Sequence, residues 1–362
     1  MHSLGVFVRR HFLISVTICL GLFSGNASAS LADSLQTLQN NLQSSLQTLQ
    51  GNLQNSLQTL QTNLTEGWQN AQEQLEIGLA RLQHSYLFPT DGTISFEEAV
   101  EHEGVGRRAL YIRPLADPVE PVPAIILLHY ATGTSEDIAN ATRIGDLVAA
   151  TGAWAIVPEG QNHRWNDDPE SATGADDVGY LAKVIETATA RYPIDPTRIY
   201  VAGMSNGGFM ATRLACERPE LIAAVASVAA SMRTSQSRAC APAQTMPMML
   251  VLGTSDPYVW YDARLGLLSA QDTFRFWAQI NGCDPSAVDL EDVPDVADDG
   301  TRTVISHGVG CTGDTALYTV EGGGHTWPQW SPTISPFNLG RVAQDFNGDQ
   351  AIWAFFESQR RP

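Results

Sequence analysis

A mostly parallel, doubly wound α/β sheet, preceded by a long amphipathic helix, is the fold class these 362 residues predict. Three observations carry that expectation. Short unbroken apolar runs alternate with helical stretches from about residue 90 onward. An 11-residue repeat fills residues 34–66. A glycine-flanked serine sits at a strand-to-helix junction, and open α/β sheets place their chemistry at the carboxyl ends of their strands.

The apolar runs are the strands. Residues 108–113 read as an early strand, and 124–129 (AIILLH), 153–158 (AWAIVP), 199–203 and 248–253 (MMLVLG) as buried ones, with 317–320 following. A strand covered on both faces keeps no polar alternation, which is the signature of a parallel sheet between helical layers. Helical stretches near 175–191, 206–217, 268–281 and 340–358 supply those layers.

The first 29 residues read as a secretory signal peptide. His2, Arg9, Arg10 and His11 form a basic start, 12–23 is apolar, and Ala27-Ser28-Ala29 offers a cleavage site. An apolar run of about a dozen residues is too short for a bilayer that needs roughly 20. The predicted organisation is therefore a signal peptide (1–29), a leucine-striped arm (30–83) and a catalytic domain (84–362), exported to the extracellular medium or a periplasm. Export removes Cys19 and leaves Cys216, Cys240, Cys283 and Cys311, an even number in an oxidising compartment. The two sequence-local pairs, Cys216–Cys240 and Cys283–Cys311, are the expected disulfides. No cysteine pair has the close spacing of a zinc site, so no metal is expected.

The arm repeats SLQTLQ at 34, 45 and 56, with leucines at 35, 38, 42, 46, 49, 53, 57, 60 and 64. Eleven residues span three helical turns at about 3.67 residues per turn, so the leucines hold one face of a nearly straight helix. A narrow apolar stripe on an otherwise polar helix is not stable alone in water. The stripe calls for a homo-oligomeric coiled coil, a hydrophobic surface to adsorb to, or a covering face elsewhere in the chain. The net charge of −18 disfavours nucleic acid as a partner.

The strongest motif is Gly203-Met204-Ser205-Asn206-Gly207-Gly208, after RIYVAG and before FMATRLACE. That is the strand–turn–helix setting of a nucleophile elbow, whose glycines sit where a Cβ would collide. A serine needs a base, and the base an orienting carboxylate, in the chain order Ser, acid, His. His325, in the glycine-rich loop EGGGHTWP, is preferred to His307, which lies among acidic and turn residues. Asp256, directly after MMLVLG, is preferred to Asp262 and Asp284. The amide of Asn206 and that of Ala131 or Tyr130 are the expected oxyanion donors, with His129 holding its loop. Trp165, Trp327 and Trp330 are candidate walls of the substrate pocket.

Together GMSNGG after IDPTRIYVAG, then LACERPELIAAVASVAASM, GTSDPYVWYD and GGGHTWP resemble the exported esterases of the polyhydroxybutyrate depolymerase and feruloyl esterase group. The resemblance covers roughly 92–358. It implies an α/β-hydrolase fold, a Ser205–Asp256–His325 triad, carboxylic-ester hydrolysis without a cofactor, and a helix-to-loop Cys216–Cys240 disulfide. One departure stands out: the oxyanion strand of that group usually ends in His-Gly, whereas Tyr130 follows His129 here. The leading expectation is a polyester or oligomer substrate, with feruloyl or acetyl esters of plant polysaccharide second. A structural or adhesive protein with an inactive hydrolase domain is the alternative of another class.

Overall fold

The computed structural model describes residues 27–84, 87–171, 174–330 and 338–361, with side chains of the first helix from 34 to 62. All but the last three residues of the expected signal peptide, Cys19 included, lie outside them. The chain divides into two compact units, Met1–Gly78 and Leu79–Pro362.

The helix α1 spans Ala27–His84 and runs through the repeat. Its 58 residues span about 87 Å at 1.5 Å per residue. Leu35, Leu38, Leu42, Leu46, Leu49, Leu53, Leu57 and Leu60 are all exposed, at 44–69%. Thr48, Thr59 and Thr62 turn their hydroxyls back to carbonyls four residues earlier, so part of the polar face is satisfied within the helix. No described helix is long and apolar enough to cross a membrane.

The second unit is built on one sheet. Its strands are β1 (Thr93–His102), β2 (Val105–Pro114), β3 (Val122–Leu128), β4 (Trp154–Pro158), β5 (Ile194–Met204), β6 (Ala224–Val228), β7 (Met248–Gly253), β8 (Val288–Asp292), β9 (Arg302–Gly308) and β10 (Thr315–Glu321). They lie in the order β1-β2-β4-β3-β5-β6-β7-β10-β9-β8. From β4 to β10 neighbours run parallel, and antiparallel pairs close both edges. The fold is the expected α/β-hydrolase type.

Helices α4 (Asp177–Arg191), α5 (Asn206–Glu217) and α7 (Ala270–Ile280) cover one face. Helices α2 (Ser135–Thr142), α3 (Ile144–Thr151) and α8 (Gly348–Phe356) cover the other. Strand β3 shows the logic: Ala124, Ile126 and Leu128 join the first layer, while Ile125 and Leu127 join the second. Burying such a side chain contributes about 1.5–3 kcal/mol, and here consecutive residues do so on opposite faces.

Four strands fall outside the sequence expectation. β1 pairs with β2 through a two-residue turn in which Glu103 (φ 51°) and Gly104 (φ 77°) are both left-handed, the tight turn that antiparallel strands favour. β6 is small-residue AVASV, fully buried yet weakly apolar. β8 and β9 form a hairpin-like extension in the acidic stretch whose composition suggests turns, and His307 lies there, ion-paired to Glu291. The helix expected from 340 begins only at Gly348, because 339–341 runs beside the His325 loop.

Both expected disulfides are present. Cys216, near the end of α5, pairs with Cys240, just after the short helix α6 (Thr234–Ala239), and Cys283 pairs with Cys311. The first closes a loop of 24 residues, which by chain entropy is worth about 3 kcal/mol. Replacing Cys216 and Cys240 together by serine should lower unfolding stability in denaturant by about 2–4 kcal/mol. A loss under about 0.5 kcal/mol would show the bond to be incidental.

Candidate active site

Ser205 follows β5 and caps α5 with φ 54° and ψ −121°, outside the regions an L-residue favours. Hydrogen bonds hold it there: its amide donates to the Val228 carbonyl at 2.9 Å, and its carbonyl accepts from Phe209 at 3.0 Å. The flanking glycines are required by close approach. A Cβ on Gly203 would stand 2.3 Å from the Gly207 carbonyl oxygen, and one on Gly207 would stand 2.3 Å from that of Leu128.

Asp256 follows β7 and is buried. Its Oδ1 accepts the amides of Tyr258 and Val259, both at 2.8 Å, and its Oδ2 meets His325 Nδ1 at 2.7 Å. With Nδ1–H donating to the carboxylate, the opposite ring nitrogen Nε2 is an acceptor, the state a general base requires. Tyr258 stands edge-on to the imidazole with ring centres 5.4 Å apart. Among the described residues no hydrogen bond joins Ser205 to His325, and contacts of that kind commonly tighten only around substrate.

The three glycines before His325 have a packing cause. A Cβ on Gly323 would press into Val320, and one on Gly324 would lie 2.0 Å from the Leu339 carbonyl oxygen. The His325 amide donates to that same carbonyl at 2.6 Å. The Gly323 carbonyl also accepts the Ser255 amide at 2.9 Å, so the Asp256 and His325 loops are laced together.

The loop after β3 is fixed from beneath. His129 is fully buried; its Nδ1 donates to the Tyr130 carbonyl at 2.8 Å and its Nε2 accepts the Gly160 amide at 2.9 Å. Burial pushes its pKa down, so it is a neutral strut, as expected. The Thr132 amide donates to the His163 carbonyl at 2.7 Å. The amides of Tyr130, Ala131 and Asn206 donate no hydrogen bond among the described residues. The Tyr130 ring folds back against Gly133 and faces Trp330, with ring centres 6.1 Å apart.

The three tryptophans expected as pocket walls are placed differently from one another. Trp165 borders a cleft of about 620 Å³ that Ser205 and Asn206 also line, yet it is only 1% exposed. It is a brace: its backbone amide and carbonyl bond the Asn206 side chain at 2.8 and 3.0 Å, and its indole donates to the His129 carbonyl at 3.0 Å. Trp327 and Trp330 do not border that cleft. Trp327 is buried in the core, where its indole N–H donates to buried Asp349 at 3.0 Å. The same cleft holds Arg233, paired to buried Asp167, whose pKa burial raises. That pair joins residues 66 apart, and no local pattern announces it.

Residues 107–273 match a family model described as Esterase PHB depolymerase. A Nocardia uniformis subsp. tsuyamanensis protein named as an esterase, NocK, is 29% identical over 291 residues, 72% of this chain and 82% of its own length. Feruloyl esterase B of Piromyces equi is 29% identical over 176 residues, 44% of this chain and 33% of that protein. The chain is a carboxylic ester hydrolase, similar to the polyhydroxybutyrate depolymerase and feruloyl esterase group. An acetyl xylan esterase from Aspergillus awamori shares the esterase's fold at 16% identity and TM-score 0.53, covering 72% of this chain and 98% of that one. The family match contains Ser205 and Asp256 and stops short of His325.

Asp349 carries no local sequence signal, yet it gives the esterase a pH signature. Burial pushes its carboxyl from 3.8 up to about 8, with the Trp327 hydrogen bond opposing, Asp146 raising and Arg143 lowering it. Between about pH 4 and 8 the unfolded chain sheds this proton while the folded chain keeps it, so stability falls across that window and levels above it. Asp349→Asn keeps the indole's acceptor and cannot ionise. Its Tm relative to wild type should rise steadily from about pH 5 to about pH 8; parallel curves would show that Asp349 is ionised throughout.

Proposed function

We propose that the esterase works through Ser205, His325 and Asp256 and an acyl-enzyme. The observation that carries this is the buried 2.7 Å bond from His325 to Asp256, paired with a serine held in a strained turn at a helix start. His325 Nε2 takes the Ser205 proton as Oγ attacks the ester carbonyl. Asp256 fixes the imidazole tautomer and stabilises the imidazolium. The amides of Asn206 and of Ala131 or Tyr130, without acceptors among the described residues, receive the oxyanion. His325 then protonates the departing alkoxide, and the same nitrogen activates the water that releases the acid.

The substrate we favour is a polyhydroxybutyrate-type polyester or its oligomers, reached by an exported protein whose leucine stripe adsorbs to a hydrophobic particle or self-assembles. The family match and the exposed leucines of α1 support that reading. The two disulfides fit an oxidising compartment. A second reading, hydrolysis of feruloyl or acetyl groups on plant polysaccharide, is favoured by the name of the Piromyces relative.

Ser205→Ala should cut kcat on an aryl butyrate by about a thousandfold or more with unchanged Tm. His325→Ala should do nearly as much. The double variant should be no worse than either single one, because the two act as a unit. Additive losses would discard the triad. Release of soluble hydroxybutyrate from an amorphous polyhydroxybutyrate suspension tests the substrate. Leu46→Gln/Leu49→Gln/Leu53→Gln should lower that release severalfold while leaving aryl butyrate cleavage intact. No release by the wild type would move the reading to polysaccharide esters.

A further inference from the structure

We propose that Arg164 is an anion subsite of the cleft, so that the esterase prefers esters bearing a free carboxylate away from the scissile bond. The inference rests on Ser205 being the nucleophile and narrows its substrate class.

Arg164 lines the same cleft as Ser205 and is exposed. The neighbouring arginines are engaged: Arg233 with Asp167 at 2.9 Å, Arg107 with Asp177 at 2.7 Å, and Arg213 with Glu217 at 2.7 Å. Arg164 has no carboxylate partner among the described residues. Of the carboxylates lining the cleft, Asp167 and Asp177 are thus neutralised in pairs. Asp168 is engaged by the Glu170 amide at 3.0 Å. In a chain of net charge −18, an arginine without a carboxylate partner in the lining of the cleft that Ser205 shares is out of keeping with the rest of the surface.

Its backbone is held as a built element would be. Gly160 begins a tight turn in which a Cβ would lie 2.7 Å from the Arg164 carbonyl oxygen. Asn162 and His163 are left-handed at φ 55° and 57°, and the Arg164 amide closes the turn on Gln161 at 3.2 Å. The next residue, Trp165, is clamped through both backbone groups by Asn206, whose amide adjoins Ser205. Arg164 is therefore tethered one residue from a clamp on the elbow itself. A planar guanidinium so placed fits a carboxylate bidentately. A hydroxyalkanoate oligomer carries one at its end, and acidic polysaccharide carries them along its chain.

The test compares kcat/KM on matched acid and neutral esters. Carboxylate on the alcohol side is probed with 3-(butyryloxy)butyrate against its primary amide. Carboxylate on the acyl side is probed with 4-nitrophenyl glutarate against 4-nitrophenyl butyrate. The wild-type esterase should favour the acid of at least one pair, mainly through KM, and that preference should shrink in high salt. Arg164→Gln should reduce the acid-to-neutral ratio about tenfold or more, and Arg164→Lys should restore part of it. Because the readout is a ratio, partial misfolding does not imitate the effect. A wild-type ratio near one for both pairs, or a ratio unmoved by Arg164→Gln, overturns the proposal. Ser205→Ala separates the two readings: persistent cleavage in that variant removes the nucleophile assignment, whereas its loss with an unmoved Arg164→Gln ratio removes the subsite alone.

Discussion

Everything at the site follows from the left-handed turn at Ser205. A non-glycine residue held there costs about 1–3 kcal/mol, and it persists only where its surroundings over-determine it. Here the strand before it is central, flanked by β3 and β6, and the helix after it packs so closely on β5 and on the end of β3 that Gly203 and Gly207 admit no side chain. The same closeness sets the first amides of α5 facing outward at the carboxyl end of the sheet, where helix starts attract negative charge. The strain at Ser205, the Asn206 amide unpaired among the described residues and the cleft beside them are one consequence of how α5 meets β5.

Two further loops converge because the strand order brings their ends together. β7 and β10 are neighbours although residues 254–314 lie between them, so Asp256 and His325 leave adjacent strands at one edge of the site. The loops then share backbone hydrogen bonds, and the imidazole orientation is set by main chain as much as by the carboxylate. Asp349 and Trp327 anchor the far side of the base loop in the core. His325 is thus mounted beside a buried polar contact, and its loop's geometry inherits the rigidity of the second helical layer.

Legibility in the sequence follows the distance over which each feature is determined. The buried strands 124–128, 154–158 and 248–253 are readable because burial on both faces leaves an unbroken apolar run. Asp256 and His325 are readable because strand ends mark where reactive groups sit. β6 is not, since its alanines and serine fit a crowded sheet without raising local hydropathy. β8 is not, because an exposed edge strand tolerates acidic residues, and β9 is not, because its apolar residues are few and set among polar ones beside that acidic stretch. Trp327 looks like a pocket wall from its place beside His325; only the fold reveals that its acceptor lies 22 residues away. The Asn206 clamp on Trp165 spans 41 residues and leaves no local trace at all.

The leucine-striped helix and the catalytic unit answer different physical demands. The sheet is covered on both faces by its own helices, so its core is complete by ordinary burial. The helix is the reverse case: leucines at 35 to 60 remain 44–69% exposed, and each forgoes a fraction of the roughly 1.5–3 kcal/mol that full burial brings. Only contact with another apolar surface can recover it. An 11-residue period keeps the stripe from winding away from such a surface over its whole length, whether that surface is a second helix or a particle. The attraction is non-directional and set by apolar area, unlike the oriented hydrogen bonds that hold Asp256 and His325. The repeat thus has no chemistry of its own, and its unburied leucines set a physical demand separate from that of the esterase sheet.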